Sequence, residues 1–168
     1  MRRAAIAMLL VAAGTTVSAQ DVPLEYRVKA AYLYNFVRFV EWPPAAADGP
    51  VEICVVRPNP FGDVLVETLR GERLDGRPVV PRLVDAPEPG CQVVFVPAGS
   101  AAAPAIRAVQ STPTLTVGES PDFIRQGGIV NFVRDGANVR FEIDETAARR
   151  AGLRISSRLL RLARMPRP

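Results

Sequence analysis

The sequence contains no histidine, and Lys29 is its single lysine beside twenty arginines. Without histidine, neither a Ser-His-Asp nor a Cys-His catalytic site can form, and zinc sites built from nitrogen and sulfur ligands are strongly disfavoured. A lysine nucleophile has only one candidate. The composition therefore argues against most hydrolases and transferases, and we expect a protein without catalytic residues, metal or cofactor.

Long hydrophobic runs are also scarce. A run at residues 4–13 covers roughly ten residues, which is too short to span a bilayer. It follows Arg2 and Arg3 and precedes small residues at 17–19, the pattern of a cleaved secretory signal peptide. We therefore expect residues 1–19 to be removed on export, and residues 20–168 to form one domain with no transmembrane segment.

The expected mature chain carries little net charge. Loss of Arg2 and Arg3 leaves 19 basic and 17 acidic residues, so the net charge falls from +4 to +2. This balance predicts no nucleic-acid partner. The basic residues nevertheless cluster near the C-terminus, at Arg149, Arg150, Arg154, Arg158, Arg161 and Arg164. Such a cluster is either a solvated helix face paired with nearby acids or a contact surface for an acidic partner or lipid headgroups.

Two cysteines, Cys54 and Cys91, remain after removal of the predicted signal peptide. In an oxidising compartment a disulfide between them is the default expectation, and a free buried pair is the alternative. Closing a loop of this length would stabilise the fold by roughly 4 kcal/mol in the chain-entropy model.

Aromatic residues are concentrated in one segment, residues 24–43, which holds six of the eleven in the chain. Helical spacing predicts two adjacent apolar stripes there. The first stripe comprises Val28, Ala31, Tyr32, Phe36 and Phe39, and the second comprises Leu33, Val37 and Val40. Trp42-Pro43-Pro44 should end the helix. A helix this apolar must be covered on more than one side, either by a core or by a partner.

The rest of the chain alternates strand and helix patterns. Strands are predicted at 51–56, 77–84, 91–96 and 114–117, with a hairpin at 129–133 and 139–143; helices are predicted at 61–70, 101–110, 121–126, 144–151 and 156–164. Pro81 predicts that the second strand lies at an edge. This order predicts a single three-layer α/β domain, with a mostly parallel sheet, a late antiparallel hairpin and helices on both faces. If the first and third strands are neighbours, Cys54 and Cys91 lie side by side.

Two glycine-containing turns are candidate ligand sites. Gly118-Glu119-Ser120 follows a predicted strand and precedes a predicted helix, and Gly99-Ser100 is placed similarly. Backbone amides at such positions can bind an anion at a helix N-terminus, although plain turns and caps have the same composition. These turns support an alternative function, a periplasmic small-ligand-binding sensor.

Three longer stretches resemble a known family. They are AAYLYNFVRFVEWP at residues 30–43, LTVGESPDFIRQGGIVNF at 115–132, and VRFEIDETAARRAGLRISSRLLRLA at 139–163. In this order they resemble the YfiR-like family of small exported proteins, and they run through most of the expected mature chain.

The resemblance implies a regulatory function in the periplasm. YfiR-like proteins bind the periplasmic sensor domain of a membrane-anchored diguanylate cyclase and restrain it, which lowers cyclic di-GMP output. An outer-membrane lipoprotein can sequester the repressor, and members form dimers. Founding members carry two cysteine pairs. Cys54 and Cys91 match the pair near the first strand, so the structural bridge is implied here, whereas the second, switching bridge has no counterpart.

Candidate residues for a partner or dimer interface lie in two parts of the chain. In the aromatic segment they are Tyr32, Asn35, Phe36, Phe39 and Trp42, and in the basic C-terminal part they are Arg154 and Arg158. Aromatic residues and arginine are common both in cores and at the centres of interfaces. The sequence alone leaves both roles open for the aromatic members.

Overall fold

The computed structural model describes residues 22–44 and 49–164. The predicted signal peptide at 1–19 lies outside these residues. Within them, no helix is both long enough and apolar enough to cross a membrane.

Five helices and nine strands make up this part of the chain. The helices are α1 (Leu24–Phe39), α2 (Val64–Leu69), α3 (Ala102–Val109), α4 (Glu145–Arg150) and α5 (Ser157–Leu160). The strands are β1 (Val40–Glu41), β2 (Val51–Val56), β3 (Arg73–Leu74), β4 (Arg77–Val84), β5 (Val93–Val96), β6 (Leu115–Gly118), β7 (Val130–Asp135), β8 (Asn138–Ile143) and β9 (Arg154–Ile155).

Seven strands form one sheet in the order β3-β4-β2-β5-β6-β7-β8. The five central strands are parallel, and β3 and β8 pair antiparallel at the two ends. The strand order reverses between β2 and β5, because β4 lies on one side of β2 and β5 lies on the other. This is the arrangement of doubly wound sheets. The predicted α/β class, the mostly parallel sheet and the late hairpin are therefore confirmed.

The central strands are buried on both faces. In β2, Ile53 and Val55 belong to the larger core, which also contains residues of α1, α2 and the C-terminal segment. Cys54 and Val56, which alternate with them, belong to a second core that contains residues of α3. Since neighbouring residues of a strand point to opposite faces, the two cores show that helices cover both sides of the sheet.

Helix α1 is shorter than predicted. It ends at Phe39 because Val40 and Glu41 pair antiparallel with Ile155 and Arg154, as the two-stranded sheet β1–β9. The buried face of α1 also differs from the predicted stripes. Ala30 is buried and Ala31 is exposed, while Leu33, Phe36 and Val37 are buried as expected for core positions; Lys29 is buried as well.

Four other predicted elements differ in the structure. The predicted helix at 121–126 is a series of turns, and the predicted helix at 61–70 is regular only over Val64–Leu69. Helix α5 ends at Leu160, before the predicted end at residue 164, and Leu162 is exposed. The prediction that β4 is an edge strand is wrong for its first residues, because Arg73 and Leu74 of β3 pair with Pro78 and Arg77.

The absence of a side chain at Gly118 permits the close turns that follow β6. A Cβ atom added there would overlap the ring of Phe123, which is completely buried in the second core. The absence of a side chain at Gly118 thus lets residues 120–127 fold closely over the end of β6.

The predicted disulfide is confirmed. Strands β2 and β5 are neighbours, and Cys54 and Cys91 are bonded with their Cα atoms 5.8 Å apart. Both residues are buried in the second core. The bridge therefore joins the sheet across the position where the strand order reverses.

Candidate functional site

The first candidate site is a surface where the end of α1 meets the C-terminal segment. Pairing of β1 with β9 places Arg154 opposite Glu41, and their side chains form an exposed ion pair at 3.6 Å. The backbone amide of Ser156 donates to the carbonyl oxygen of Phe39 at 3.0 Å. Residues that are about 115 positions apart in the sequence thus share one surface.

Cations lie against the aromatic ring at the centre of this surface. The guanidinium carbon of Arg158 is 5.3 Å from the ring centroid of Phe39, and that of Arg38 is 6.0 Å from the same centroid. Both distances are within the range of cation–π contacts. We call Arg38, Phe39, Trp42, Arg154 and Arg158 the arginine–aromatic surface.

Trp42, which lines a groove together with Arg38 and Glu41, is partly buried. Its indole Nε1 is buried and has no hydrogen-bond acceptor among residues 22–44 and 49–164. Such donors normally find a partner when they are buried. The indole N–H of Trp42 is therefore a buried donor without an acceptor in the described part of the chain.

Two of the predicted interface residues contribute mainly to the core. Phe36 has no exposed surface, and it contacts Phe132 and Phe141 with ring centroids 5.8 and 5.2 Å apart. Tyr32 contacts the same two rings at 5.9 and 5.2 Å. Phe36 is therefore a core residue, whereas the sequence alone left open whether it lies in the core or at an interface. Tyr32 and Asn35 remain partly accessible.

The second candidate site is a cleft of about 670 Å³ at the carboxyl ends of the central strands. It forms where β6 ends at Gly118 while β7, paired to it through Asn131, continues to Asp135. The first turns of α1 form one wall, and the turns after Glu119 form another. Carboxyl ends of parallel strands are the usual location of ligand sites in α/β sheets.

An ion pair is buried in the wall of this cleft. Lys29 Nζ lies 2.5 Å from Glu119 Oε2 and 2.5 Å from Glu25 Oε1. Only 4% of the Lys29 side chain and 5% of the Glu119 side chain are exposed. The ammonium also lies 4.6 Å from the ring centroid of Tyr26. A charge this buried needs such partners, because burial without them is very unfavourable.

Tyr26 and Ala98 also donate hydrogen bonds to Glu119. The Tyr26 hydroxyl donates to Glu119 Oε1 at 3.1 Å, and the backbone amide of Ala98 donates to the same oxygen at 2.7 Å. Burial of the phenol, and then the negative charge of Glu119, raise the pKa of Tyr26 from 10.0 to about 12.

This shift predicts a loss of stability at high pH. In the unfolded chain Tyr26 loses its proton near pH 10, whereas the folded protein keeps it until about pH 12. The raised folded-state pKa therefore contributes stability below pH 10, and this contribution is lost as the pH rises from 10 towards 12. Absorbance titration of the folded protein should show late ionisation of Tyr34, whose pKa is raised by its hydrogen bond to Glu72, and a component near pH 12 from Tyr26. Tyr26→Phe should remove that component, and simultaneous ionisation of all tyrosines near the ordinary pKa would contradict it.

Two polar atoms that line the cleft lack partners within the described residues. Asn131 is 2% exposed, and its Oδ1 receives no hydrogen bond there. Ser120 Oγ is likewise buried and has no partner in the same part of the chain. Buried polar groups are hydrogen-bonded in the great majority of cases, so two such atoms in one cleft require an explanation.

The two predicted ligand turns have different surroundings in the structure. No helix follows Gly118-Glu119-Ser120, so this turn is not a helix N-terminus. Near the other turn, the amide of Ala98 donates to the protein's own Glu119 carboxylate. Gly99 has a φ of +82°, and the hydroxyl of Ser100 donates to the carbonyl oxygen of Arg57. The predicted helix N-terminus is therefore missing after Gly118, whereas Gly99-Ser100 directly precedes α3, as predicted. Glu119 and Ser120 line the cleft.

Several residues of the cleft were not predicted from the sequence, among them Glu25, Tyr26, Lys29, Arg125, Asn131 and Glu142. The available signal was the single lysine on an otherwise apolar helix, four positions after Glu25. That spacing permits an ion pair along a helix. It does not identify Glu119, which is 90 positions away.

The cysteines also lie close to a carboxylate. Glu52 and the two sulfur atoms form the one cluster of potential metal ligands found among residues 22–44 and 49–164. The sulfur atoms are bonded to each other, and Glu52 pairs with Arg82 at 3.0 Å. Metal coordination requires thiolates, so this group is a structural bridge in the oxidised protein.

Comparisons with known proteins identify a matching family and a solved structure of similar fold. Residues 26–164 match the model of a family described as YfiR/HmsC-like. No curated protein sequence matches the chain significantly. A crystal structure of a conserved domain protein from Vibrio cholerae O1 biovar El Tor str. N16961 is similar, with a TM-score of 0.57 and 13% sequence identity. The alignment covers 86% of this chain and 60% of that one, and at this identity it supports the fold alone.

Proposed function

This chain belongs to the YfiR/HmsC-like family, and from that premise we propose that it is a non-catalytic periplasmic regulator. In this proposal it binds the periplasmic sensor domain of an inner-membrane diguanylate cyclase and represses the enzyme, which lowers cyclic di-GMP signalling. Its regulation would involve a homodimer and sequestration by an outer-membrane lipoprotein.

The arginine–aromatic surface carries this proposal. Arginine and aromatic side chains are enriched at the energetic centres of protein interfaces. Here they are held in place by the pairing of β1 with β9, and Phe39 lies beside two guanidinium groups. A rigid aromatic residue flanked by cations favours a partner surface with carboxylates around an apolar centre.

The positive charge of this region supports the same type of partner. Arg154 is 85% exposed and forms only a long, exposed ion pair with Glu41. Exposed pairs of this kind contribute little to stability, about 0 to 1 kcal/mol. Arg154 can therefore exchange Glu41 for a carboxylate of a partner at little cost to the fold.

Substitution within this surface tests the proposal. We expect Arg158→Ala to raise the dissociation constant for the periplasmic domain of a neighbouring diguanylate cyclase by about tenfold or more, because truncation of a hot-spot residue costs about 2 kcal/mol or more. Calorimetry of the purified, oxidised mature chain measures this constant. Arg107→Ala is the matched control, since Arg107 is an exposed arginine on α3, which contacts the opposite face of the sheet.

Two results would contradict the proposal. One is the absence of binding to such a domain by the wild-type protein. The other is equal affinity of the Arg158→Ala and Arg107→Ala variants, which would place the interface on another surface. Thermal unfolding of each variant shows that a loss of binding is not a loss of folding.

A further inference from the structure

Asn131 provides the starting observation for a second binding function. Its side chain lies on the face of β7 opposite to Phe132, lines the cleft, and is almost completely buried. The orphan Oδ1 is a hydrogen-bond acceptor. An acceptor in this position is best satisfied by an N–H or O–H group that enters the cleft.

Glu142 places a second acceptor beside the first. Asn131 and Glu142 are direct partners in the antiparallel pair of β7 and β8, and both line the cleft. Side chains of directly opposite residues lie on the same face, with Cβ atoms about 5 Å apart. One neutral acceptor and one carboxylate are thereby presented together, which disfavours an anion and favours a cationic donor.

The other charged groups of the cleft are already compensated. Glu25 and Glu119 bind Lys29, and Arg134 lies 3.6 Å from Glu25. The carboxylates on the α1 side are therefore not available to a new cation. Glu142 is the remaining carboxylate of the lining, and it lies beside Asn131.

The far end of the lining has a different chemistry. Ser120 contributes the second orphan oxygen, and Arg125 contributes a guanidinium group that is 66% exposed and forms an exposed ion pair with Asp122. Ile124 and Val133 provide apolar surface. A molecule with an ammonium group at one end could place a short apolar or polar remainder along these residues.

We propose that this cleft binds a small primary amine in its ammonium form. The ammonium donates to Asn131 Oδ1 and to the Glu142 carboxylate, and the remainder of the molecule lies towards Ser120 and Arg125. A primary ammonium has three N–H donors and so can satisfy both acceptors at once. Zwitterionic amines and purely cationic amines share this chemistry. The inference rests on the geometry of the cleft and does not depend on the proposed diguanylate cyclase partner.

Binding of defined amines to the mature protein alone tests the inference. The ammonium probes are alanine, ethanolamine and putrescine, and the probes without an ammonium group are acetate and glycerol. We expect at least one ammonium probe to raise the melting temperature by about 3 °C or more at ten times its dissociation constant, with no rise for acetate or glycerol. If alanine is the only amine that binds, Arg125 contacts its carboxylate; if putrescine or ethanolamine binds as well, the ammonium group suffices.

Two variants locate the site. Asn131→Leu should abolish the ligand-induced shift or weaken binding by about tenfold or more, while its own melting temperature stays at or above that of wild type, because a buried orphan acceptor is removed. Glu142→Gln should weaken binding of every ammonium probe. Asn138→Leu is the matched control, since Asn138 is exposed in the same hairpin and does not line the cleft.

Several outcomes would overturn the inference. They are the absence of any shift with all three amines, an equal shift with acetate or glycerol, and retained binding in Asn131→Leu. A fall in the melting temperature of Asn131→Leu together with unchanged amine binding by Glu142→Gln would assign both residues to the fold. None of these measurements involves the diguanylate cyclase, so failure here is distinguishable from failure of the proposed function.

Discussion

Replacing Lys29 with methionine is expected to lower the free energy of unfolding by about 3 to 5 kcal/mol, the cost of breaking a buried ion pair by removing one partner. The variant keeps the carboxylate of Glu119, of which only 5% of the side chain is exposed. Tyr26 and the amide of Ala98 still donate to Glu119, but neither supplies a positive charge. Urea denaturation measures the change, and the melting temperature should fall by about 10 °C.

The exposed ion pair of α4 provides the matched control for this substitution. Arg149 and Glu145 are also four residues apart on a helix, but their side chains are 59% and 50% exposed. Arg149→Met should therefore cost about 0.5 kcal/mol or less. The double variant Lys29→Met/Glu119→Gln should recover part of the loss, because it leaves no uncompensated charge at Glu119. If Lys29→Met costs no more than Arg149→Met, Lys29 is not buried in solution.

Removal of the disulfide has the second large expected effect. The bridge closes a loop of 37 residues, for which the chain-entropy model gives a stabilisation of about 4 kcal/mol. Cys54→Ala/Cys91→Ala should lower the unfolding free energy by about this amount. Both cysteines are buried in the second core, so small cavities left by the two alanines add to the cost. Urea denaturation with and without reductant measures the difference.

The double cysteine variant also controls for non-specific effects of the reductant. Reductant should destabilise the wild-type protein by about the same amount as the double substitution and should leave the variant unchanged. Equal stability of the wild-type protein with and without reductant would mean that the bridge does not constrain the unfolded chain. Repetition of the partner-binding measurement under reducing conditions then shows whether this single bridge has a regulatory effect in addition to its structural one.

The two candidate sites differ in how they depend on the fold. The arginine–aromatic surface consists of residues near both ends of the described chain, which the β1–β9 pairing brings together. The cleft depends on the early end of β6 and on the close turn over Gly118. Since the cleft lies at the N-terminal half of α1 and the surface lies at its C-terminal end, substitutions in one should leave the other intact.

Much of the architecture depends on local patterns and was determined by the sequence alone. Period-two alternation and apolar runs identified the main strands, and the hairpin between β7 and β8 was predicted from the same signal. The starts of the helices near Asp144 and Ser156 were also predicted correctly, and these two side chains cap the helices by accepting from the amides of Ala147 and Leu159. Each of these features involves residues that are close in the sequence.

The tertiary structure decided the features that depend on distant contacts. Helical periodicity placed Lys29 in neither apolar stripe, but its burial depends on Glu119, 90 positions away. The end of α1 at Phe39 depends on the pairing of β1 with β9. The turns at 120–127 depend on the absence of a side chain at Gly118, since a Cβ atom there would overlap Phe123. Local propensity is weak enough for such contacts to override it. The sequence alone therefore determined the class of fold and the family resemblance and made the disulfide the default expectation, whereas only the folded chain placed Cys54 beside Cys91 and assembled the cleft and the arginine–aromatic surface.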